Sequence, residues 1–562
     1  MENAPSPTDA SDAPWRRDLL ILALIFGALY FFVLGRPPLA NPDEGRYAEI
    51  PREMVASGDW VTPRLDGVPY FEKPPLVYWV VAASLEAFGP GEWAVRAPIA
   101  LFALGGVLLA YAAGRRLHGR DAGLGATAVL GSSLLYFALG RIVLLDLAVS
   151  VLMSAALFCF ILGVREAPGA RRRQLFYALY AAAALATLTK GLIGFLVTGA
   201  VMFFWLLLFN QWRRLRPFYL PTGALLFLAI ALPWHLLVAR RNEGWAHFYF
   251  IHEHWERFTT TEHGRVLPWW IYFPIVLVGL FPWTGFLWAS LRDALAGGWA
   301  RRKEKADAWF LVTWAGFIFL FFSKSQSKLI PYILPVFPPL AVIIGAWLAR
   351  RWREGGAARL RGGLGVFAFF CGVLAIGLVV AVLKPGTFRE PGQAEALRPF
   401  AYAMAALLVT GGILAPWLAR LRGVRDGLTA VFMSTLGFLL VLALAFPNIR
   451  STRTLALIAR DRVGPQDVVY HYHAFFHDFT YYTGRVVGLV SYKDELELQF
   501  LSEAERNARF IDDAEFLRQW AGPRRVWLVA RKDAVAPLLD DSSFHYHLLG
   551  ETPTHYLWSN QP

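Results

Sequence analysis

Apolar residues in this chain gather in long unbroken runs, not at the three- and four-residue spacing of a surface helix. The runs fall at 19–34, 94–113, 123–140, 147–164, 177–189, 191–209, 220–239, 268–290, 308–322, 329–348, 364–383, 399–418 and 428–446. Hydrocarbon offers no partner to an unsatisfied backbone group, so most such runs, roughly 17 to 25 residues long, read as spanning helices. The pattern predicts an α-helical polytopic membrane protein of about thirteen transmembrane helices. Short basic loops punctuate it: Arg115/Arg116/Arg120, Arg165/Arg171/Arg172/Arg173, Arg213/Arg214/Arg216, Arg301/Arg302/Lys303/Lys305, Arg350/Arg351/Arg353 and Arg420/Arg422/Arg425. All belong on the cytoplasmic side.

The stretch 177–209 has basic loops at both ends and so needs an even number of crossings. Two short helices meeting near Lys190 satisfy this, each barely long enough at about 1.5 Å per residue, which implies local thinning or burial in the bundle. With an odd total, the loop 36–93 and the tail share the extracytoplasmic side. From 447 the pattern changes: spanning runs end, Val468–Tyr472 and Val526–Ala530 read as strands, and Asp513–Trp520 reads as a helix opened by acids. The expected division is therefore 1–446 as a membrane domain, its loop 36–93 carrying interfacial helices, and 447–562 as a small soluble α/β domain.

Composition agrees: 562 residues, 56% hydrophobic and 17% charged, with a mean hydropathy of +0.41, leave the bilayer as the main solvent. The net charge of +13 resides largely in the basic loops, which removes nucleic acid as the implied partner. Cys159 and Cys371 both lie in apolar runs, so neither a disulfide framework nor a thiolate metal site is expected. The first run follows Arg16 and Arg17 as a signal peptide would, but later spans make cleavage unnecessary, and the run is expected to be kept.

Candidate chemistry concentrates in the loop 36–93. It holds Asp43-Glu44-Gly45-Arg46-Tyr47-Ala48, then Gly58-Asp59-Trp60-Val61-Thr62-Pro63, then Tyr70-Phe71-Glu72-Lys73-Pro74-Pro75-Leu76. Read from composition alone, two amphipathic stretches lie along the membrane with a solvated charged face. These motifs resemble the signature of GT-C membrane glycosyltransferases, in particular the bacterial 4-amino-4-deoxy-L-arabinose lipid A transferase family, related to protein O-mannosyltransferases. The resemblance continues at Leu188-Thr189-Lys190-Gly191, at Glu253-His254 with Arg257-Phe258, and at Ser323–Pro339 with Lys328 and Tyr332. It covers most of residues 19–350; beyond, it rests on layout.

The resemblance implies a pentosyl transfer from undecaprenyl phosphate to lipid A phosphates at the periplasmic face of a bacterial inner membrane, by a monomer surrounded by membrane lipids. It implies no nucleotide cofactor. Asp43 takes the place of the family's catalytic first-loop carboxylate, with helix capping after Pro42 as the plain alternative. Asp146, at the external edge of an apolar run, is a second catalytic candidate, with pairing to Arg141 as its alternative. Departure of a lipid phosphate builds negative charge that fixed cations stabilise. Lys73, Arg46, Arg257 and Lys328 are the candidates, with Tyr47, Tyr70 and Tyr332 as hydroxyl donors and headgroup binding or snorkelling as the alternative for the basic residues. Lys190 either belongs to that pattern or pairs with a carboxylate. Glu72, His252, Glu253, His254 and His263 offer ligands to a divalent ion, zinc or magnesium or manganese, although His-x-His is not a diagnostic spacing and interfacial histidines without metal are the alternative.

Two rival readings remain at this point. A sibling enzyme moves mannose or another hexose to a protein or glycan hydroxyl, and a flippase moves the lipid-linked sugar without chemistry. Ionisable residues gathered at one surface, and not at the midplane, argue against the transporter.

Overall fold

The computed structural model describes residues 15–256, 267–388, 390, 392–445 and 450–562. Each of the expected apolar runs contains helix among the described residues. Among the described residues eight helices are long and apolar enough to cross a bilayer, or nine if Tyr272–Gly279 and Thr284–Ala294, bent by 103°, form one span. The rest are shorter, broken or more polar, among them Trp15–Phe31, Ile193–Phe209 and the pair Arg120–Ser132 and Leu134–Leu139.

The two helices meeting at Lys190 differ from expectation in length. The first is Ala170–Lys190, 21 residues, because the basic turn Arg171–Arg173 is itself helical. At about 1.5 Å per residue it reaches roughly 31 Å, but its first turn is basic and its apolar part stays short, and eleven of its residues are buried, in line with the expected burial in the bundle. It stops at Gly191, whose φ of +77° reverses the chain before Ile193–Phe209 begins.

The first loop forms a helix, Asp43–Ser57, a hairpin of β1 (Arg64–Leu65) and β2 (Val68–Pro69), and a second helix, Leu76–Phe88. The expectation of a solvated charged face fails for the first helix: ten of its fifteen residues are buried, among them Glu44, Arg46, Glu49 and Glu53. The tail covers it. Gly45 meets the backbone at His477 and Asp478 so closely that a Cβ there would sit 2.6 Å from the Asp478 amide nitrogen.

The tail is a six-stranded sheet, with the predicted strand Val468–Tyr472 (β3) at its centre beside β6 (Val526–Arg531). β4 (Gly488–Val490) and β5 (Phe510–Ile511) extend it in parallel on one side of β3. On the other side, beyond β6, β8 (His555–Ser559) and β7 (His547–Glu551) run antiparallel, giving the order β5-β4-β3-β6-β8-β7. The predicted helix Asp513–Trp520 forms, and the Asp512 side chain caps it by accepting from the Glu515 amide at 2.8 Å. A short helix, His477–Thr483, lies between the sheet and the first-loop helix.

Candidate active site

A cavity of about 610 Å³ opens among the membrane helices beside the first loop. Val149 and Met153 from Leu145–Arg165, Leu196 and Val197 from Ile193–Phe209, and Phe317 and Phe321 from Ala306–Lys324 make most of its wall apolar. Its polar groups are few: Glu72, Lys73, Asp146, Lys190, Glu253, Ser325, Ser327 and Tyr332. Pro74 and Pro75 end the loop just after Lys73 and open the helix Leu76–Phe88, which fixes where that lysine enters.

Lys73 Nζ lies 2.9 Å from Glu253 Oε2 and 3.5 Å from Glu72 Oε2, and donates to the Glu72 carbonyl at 2.8 Å. Lys190 pairs with Asp146, and its ammonium stands 4.3 Å from the centroid of the Tyr332 ring. The alternative that paired Asp146 with Arg141 is thereby corrected. Arg141 instead donates to the carbonyls of Leu29, Tyr30 and Phe32 near the end of the first helix. The carboxylate found its cation on a neighbouring helix, 44 residues away. Lys328 is buried outside the cavity wall and donates to the Ser325 carbonyl.

Asp43 opens its helix exposed to solvent. No side-chain cap bond forms at that helix start, so the capping alternative is not realised. Its neighbours are all held. Glu44, buried, takes a bidentate pair from Arg96 at 2.8 and 2.7 Å. Arg46 does not line the cavity: it is buried and pairs with Glu495, with Asp494 at 3.9 Å. Tyr47 and Tyr70 are buried beside it, and burial raises both hydroxyls above their ordinary range, so they stay protonated donors. The Tyr70 hydroxyl and the Arg46 Nε have no hydrogen-bond partner among the described residues, which marks this cluster as polar capacity not spent on the described part of the fold.

Arg257 and His263 lie outside the described residues, as does the side chain of His254. No group of three His, Cys, Asp or Glu side chains with metal-ligand geometry occurs among the described residues. Glu72 and Glu253, the carboxylates expected to hold a divalent ion, already flank the Lys73 ammonium. Reading the sequence missed the Ser327 hydroxyl, which has no partner among the described residues, and the pairing of Asp494 and Glu495 with Arg46. A serine in a polar turn carries no local signal, and the two acids lie some 450 residues from Arg46.

Comparison with known proteins bears on this site. The family model described as dolichyl-phosphate-mannose-protein mannosyltransferase matches residues 16–252. The undecaprenyl phosphate-α-4-amino-4-deoxy-L-arabinose arabinosyl transferase of Edwardsiella ictaluri is 35% identical over 64% of this chain and 65% of its own length, so the chain spans just under two thirds of that relative. The enzyme of the same name from Pseudomonas aeruginosa is 31% identical over 95% of both chains. The crystal structure of ArnT from Cupriavidus metallidurans bound to undecaprenyl phosphate superposes with a TM-score of 0.84, at 28% identity, covering 97% of this chain and 98% of that one. An archaeal oligosaccharyltransferase, AglB from Archaeoglobus fulgidus, shares the fold with a TM-score of 0.50 at 13% identity. With near-complete coverage in both sequence and structure, this chain is a multi-pass membrane protein of the GT-C fold and belongs to the undecaprenyl phosphate-α-4-amino-4-deoxy-L-arabinose arabinosyl transferase family.

Proposed function

We propose that this protein is a glycosyltransferase that moves 4-amino-4-deoxy-L-arabinose from undecaprenyl phosphate to a phosphate of lipid A, at the periplasmic face of the inner membrane. The observation that carries the reading is the cavity: an apolar bore of about 610 Å³ whose few charged groups include Lys73 and Lys190. Such a shape suits a ligand with a polyprenyl tail and an anionic head. The likeness to a protein whose structure was solved with undecaprenyl phosphate supports it. Basic clusters at the helix ends away from the first loop support the orientation.

In this reading the carrier's chain lies against Leu196, Phe317 and Phe321 and its phosphate reaches Lys73. The acceptor phosphate oxygen attacks the anomeric carbon while the bond from that carbon to the carrier phosphate breaks, and the bonding electrons leave with the phosphate. Lys73 then meets a growing negative charge, the situation in which a fixed cation lowers a barrier most. Lys73 must turn from Glu253 to do this. The acceptor is already ionised near neutrality, since a phosphate monoester has its second pKa at about 6, so Asp43 orients it or balances positive charge on the sugar and abstracts no proton.

The match to the mannosyltransferase model favours a second reading, transfer of a hexose to a protein hydroxyl. Mass spectrometry of lipid A from cells with and without the protein separates them. Aminoarabinose on the lipid A phosphates only when the protein is present is the expected result; unchanged lipid A contradicts the first reading.

A further inference from the structure

The tail contributes to the active site through one buried carboxylate. We infer that Asp478 is a positioning residue for the Asp43 carboxylate, acting across the contact at Gly45. This rests on the proposed role of Asp43 beside the acceptor.

Asp478 is fully buried. Its Oδ1 accepts from the Asn41 side-chain amide and from Thr452 Oγ1 at 2.7 Å, and its Oδ2 accepts from Ser451 Oγ at 2.8 Å and the Thr452 amide at 2.7 Å. A carboxylate has about four lone-pair sites, and all are filled. In return the Asp478 amide donates to Asn41 Oδ1 at 3.0 Å. Residue 41 is thus tied to the tail by bonds in both directions, two positions before Asp43. Two positions after it, Gly45 lies flat against the same segment: a Cβ there would stand 2.6 Å from the Asp478 amide nitrogen and 2.8 Å from His477 Cβ.

The opposite side of the same turn is fixed to the membrane domain. Glu44 accepts from Arg96, from the Ala40 amide at 3.0 Å and from the Val143 amide at 3.2 Å, three residues before Asp146. Positions 41, 44, 45 and 46 are therefore all held, and Asp43, exposed together with Pro42, stands between them. The turn is clamped between the tail on one side and the helices on the other. A carboxylate displaced by 1 Å from its working position loses on the order of 100-fold in rate. Asp478 supplies the tail's side of that restraint from a different part of the chain, which gives the tail a part in the chemistry.

The test uses the full-length protein reconstituted in lipid, with turnover at saturating donor, Kd for undecaprenyl phosphate and the thermal midpoint all measured. Asp478→Asn turns an NH2 toward two donors, and Gly45→Ala wedges the helix from the tail although alanine favours a helix over glycine. Both should lower kcat by about 10- to 100-fold and leave Kd within about twofold, because the carrier cavity is built from other elements. Asn41→Asp combined with Asp478→Asn reverses the pair and should recover most of the lost turnover. Wild-type kcat in both single variants, a Kd that rises as kcat falls, or no recovery in the double variant overturns the inference. If Asp478→Asn does not fold, Gly45→Ala decides alone. Asp43→Asn in the same series keeps the two readings apart. Wild-type turnover there removes the role of Asp43 itself, whereas lost turnover there with full turnover in Gly45→Ala and Asp478→Asn removes only the positioning.

Discussion

Lys190 and Asp146 have side chains only 14% and 13% exposed, so each needs the other. Removing one partner of a buried pair typically costs about 3 to 5 kcal/mol because a charge is left without compensation. Lys190→Met should therefore lower stability by roughly that amount, and adding Asp146→Asn should restore much of it, as read by thermal unfolding in lipid. Turnover should stay low in the double variant, since Lys190 lines the cavity proposed for the carrier; full turnover would make the pair purely structural. Asp43 makes a different prediction. With a lipid A phosphate as acceptor, Asp43→Asn should lower the rate strongly and leave the shape of the pH profile unchanged, because no proton passes through that carboxylate. A wild-type acid limb that vanishes in Asp43→Asn would instead mark a general base and favour a hydroxyl acceptor. The chemical types of these residues were legible in the sequence, but their pairings were not. Arg141 is five residues from Asp146 and Lys190 is 44, and only tertiary packing chose the second.

Within the first-loop helix the buried acids form a unit with the hairpin. Glu49 pairs with Arg52, Glu53 accepts from the Gly67 amide at 3.0 Å, and Asp66 pairs with Arg509 of the tail and accepts from the Val487 amide at 2.9 Å. Burial first, and then the charges of Glu49 and Asp66, push Glu53 up to about 8; burial pushes Asp66 up to about 7. Both lie above the ordinary carboxylate range, so the folded state holds these protons longer than the unfolded chain does. Their contribution to stability is full below about pH 4 and is lost as pH rises through 7 and 8. Unfolding of the wild type should show that decline between pH 5 and 8, and Glu53→Gln should flatten part of it; an identical pH dependence in both proteins would contradict the assignment. The tail helix Asp513–Trp520 and strands β3 and β6 were readable because alternation and an aspartate cap are local signals. The burial of Glu44, Glu49 and Glu53 was not, because their charges read as a solvated face until the tail is seen to cover them.

At the scale of the whole molecule, long apolar runs and basic loops prescribed a helical bundle, and the layout of loop and tail agrees with it. What could not be read was the joining of the two ends of the chain: Asn41 with Asp478, Arg46 with Glu495 and Asp66 with Arg509 each span more than 430 residues. No periodicity encodes such contacts, and they are what fastens the tail to the first loop. The central claim is that Lys73, at the polar end of an apolar cavity, receives the phosphate of an undecaprenyl-linked sugar as the sugar leaves for lipid A. Its most direct test is transfer of aminoarabinose from undecaprenyl phosphate to lipid A in proteoliposomes containing only the purified protein, wild type against Lys73→Ala. The account predicts modified lipid A with the wild type, and a rate lower by at least about 100-fold with a folded Lys73→Ala protein, comparable to the loss of a single oxyanion-stabilising donor. Absence of transfer by the wild type, or normal turnover by Lys73→Ala, would contradict it.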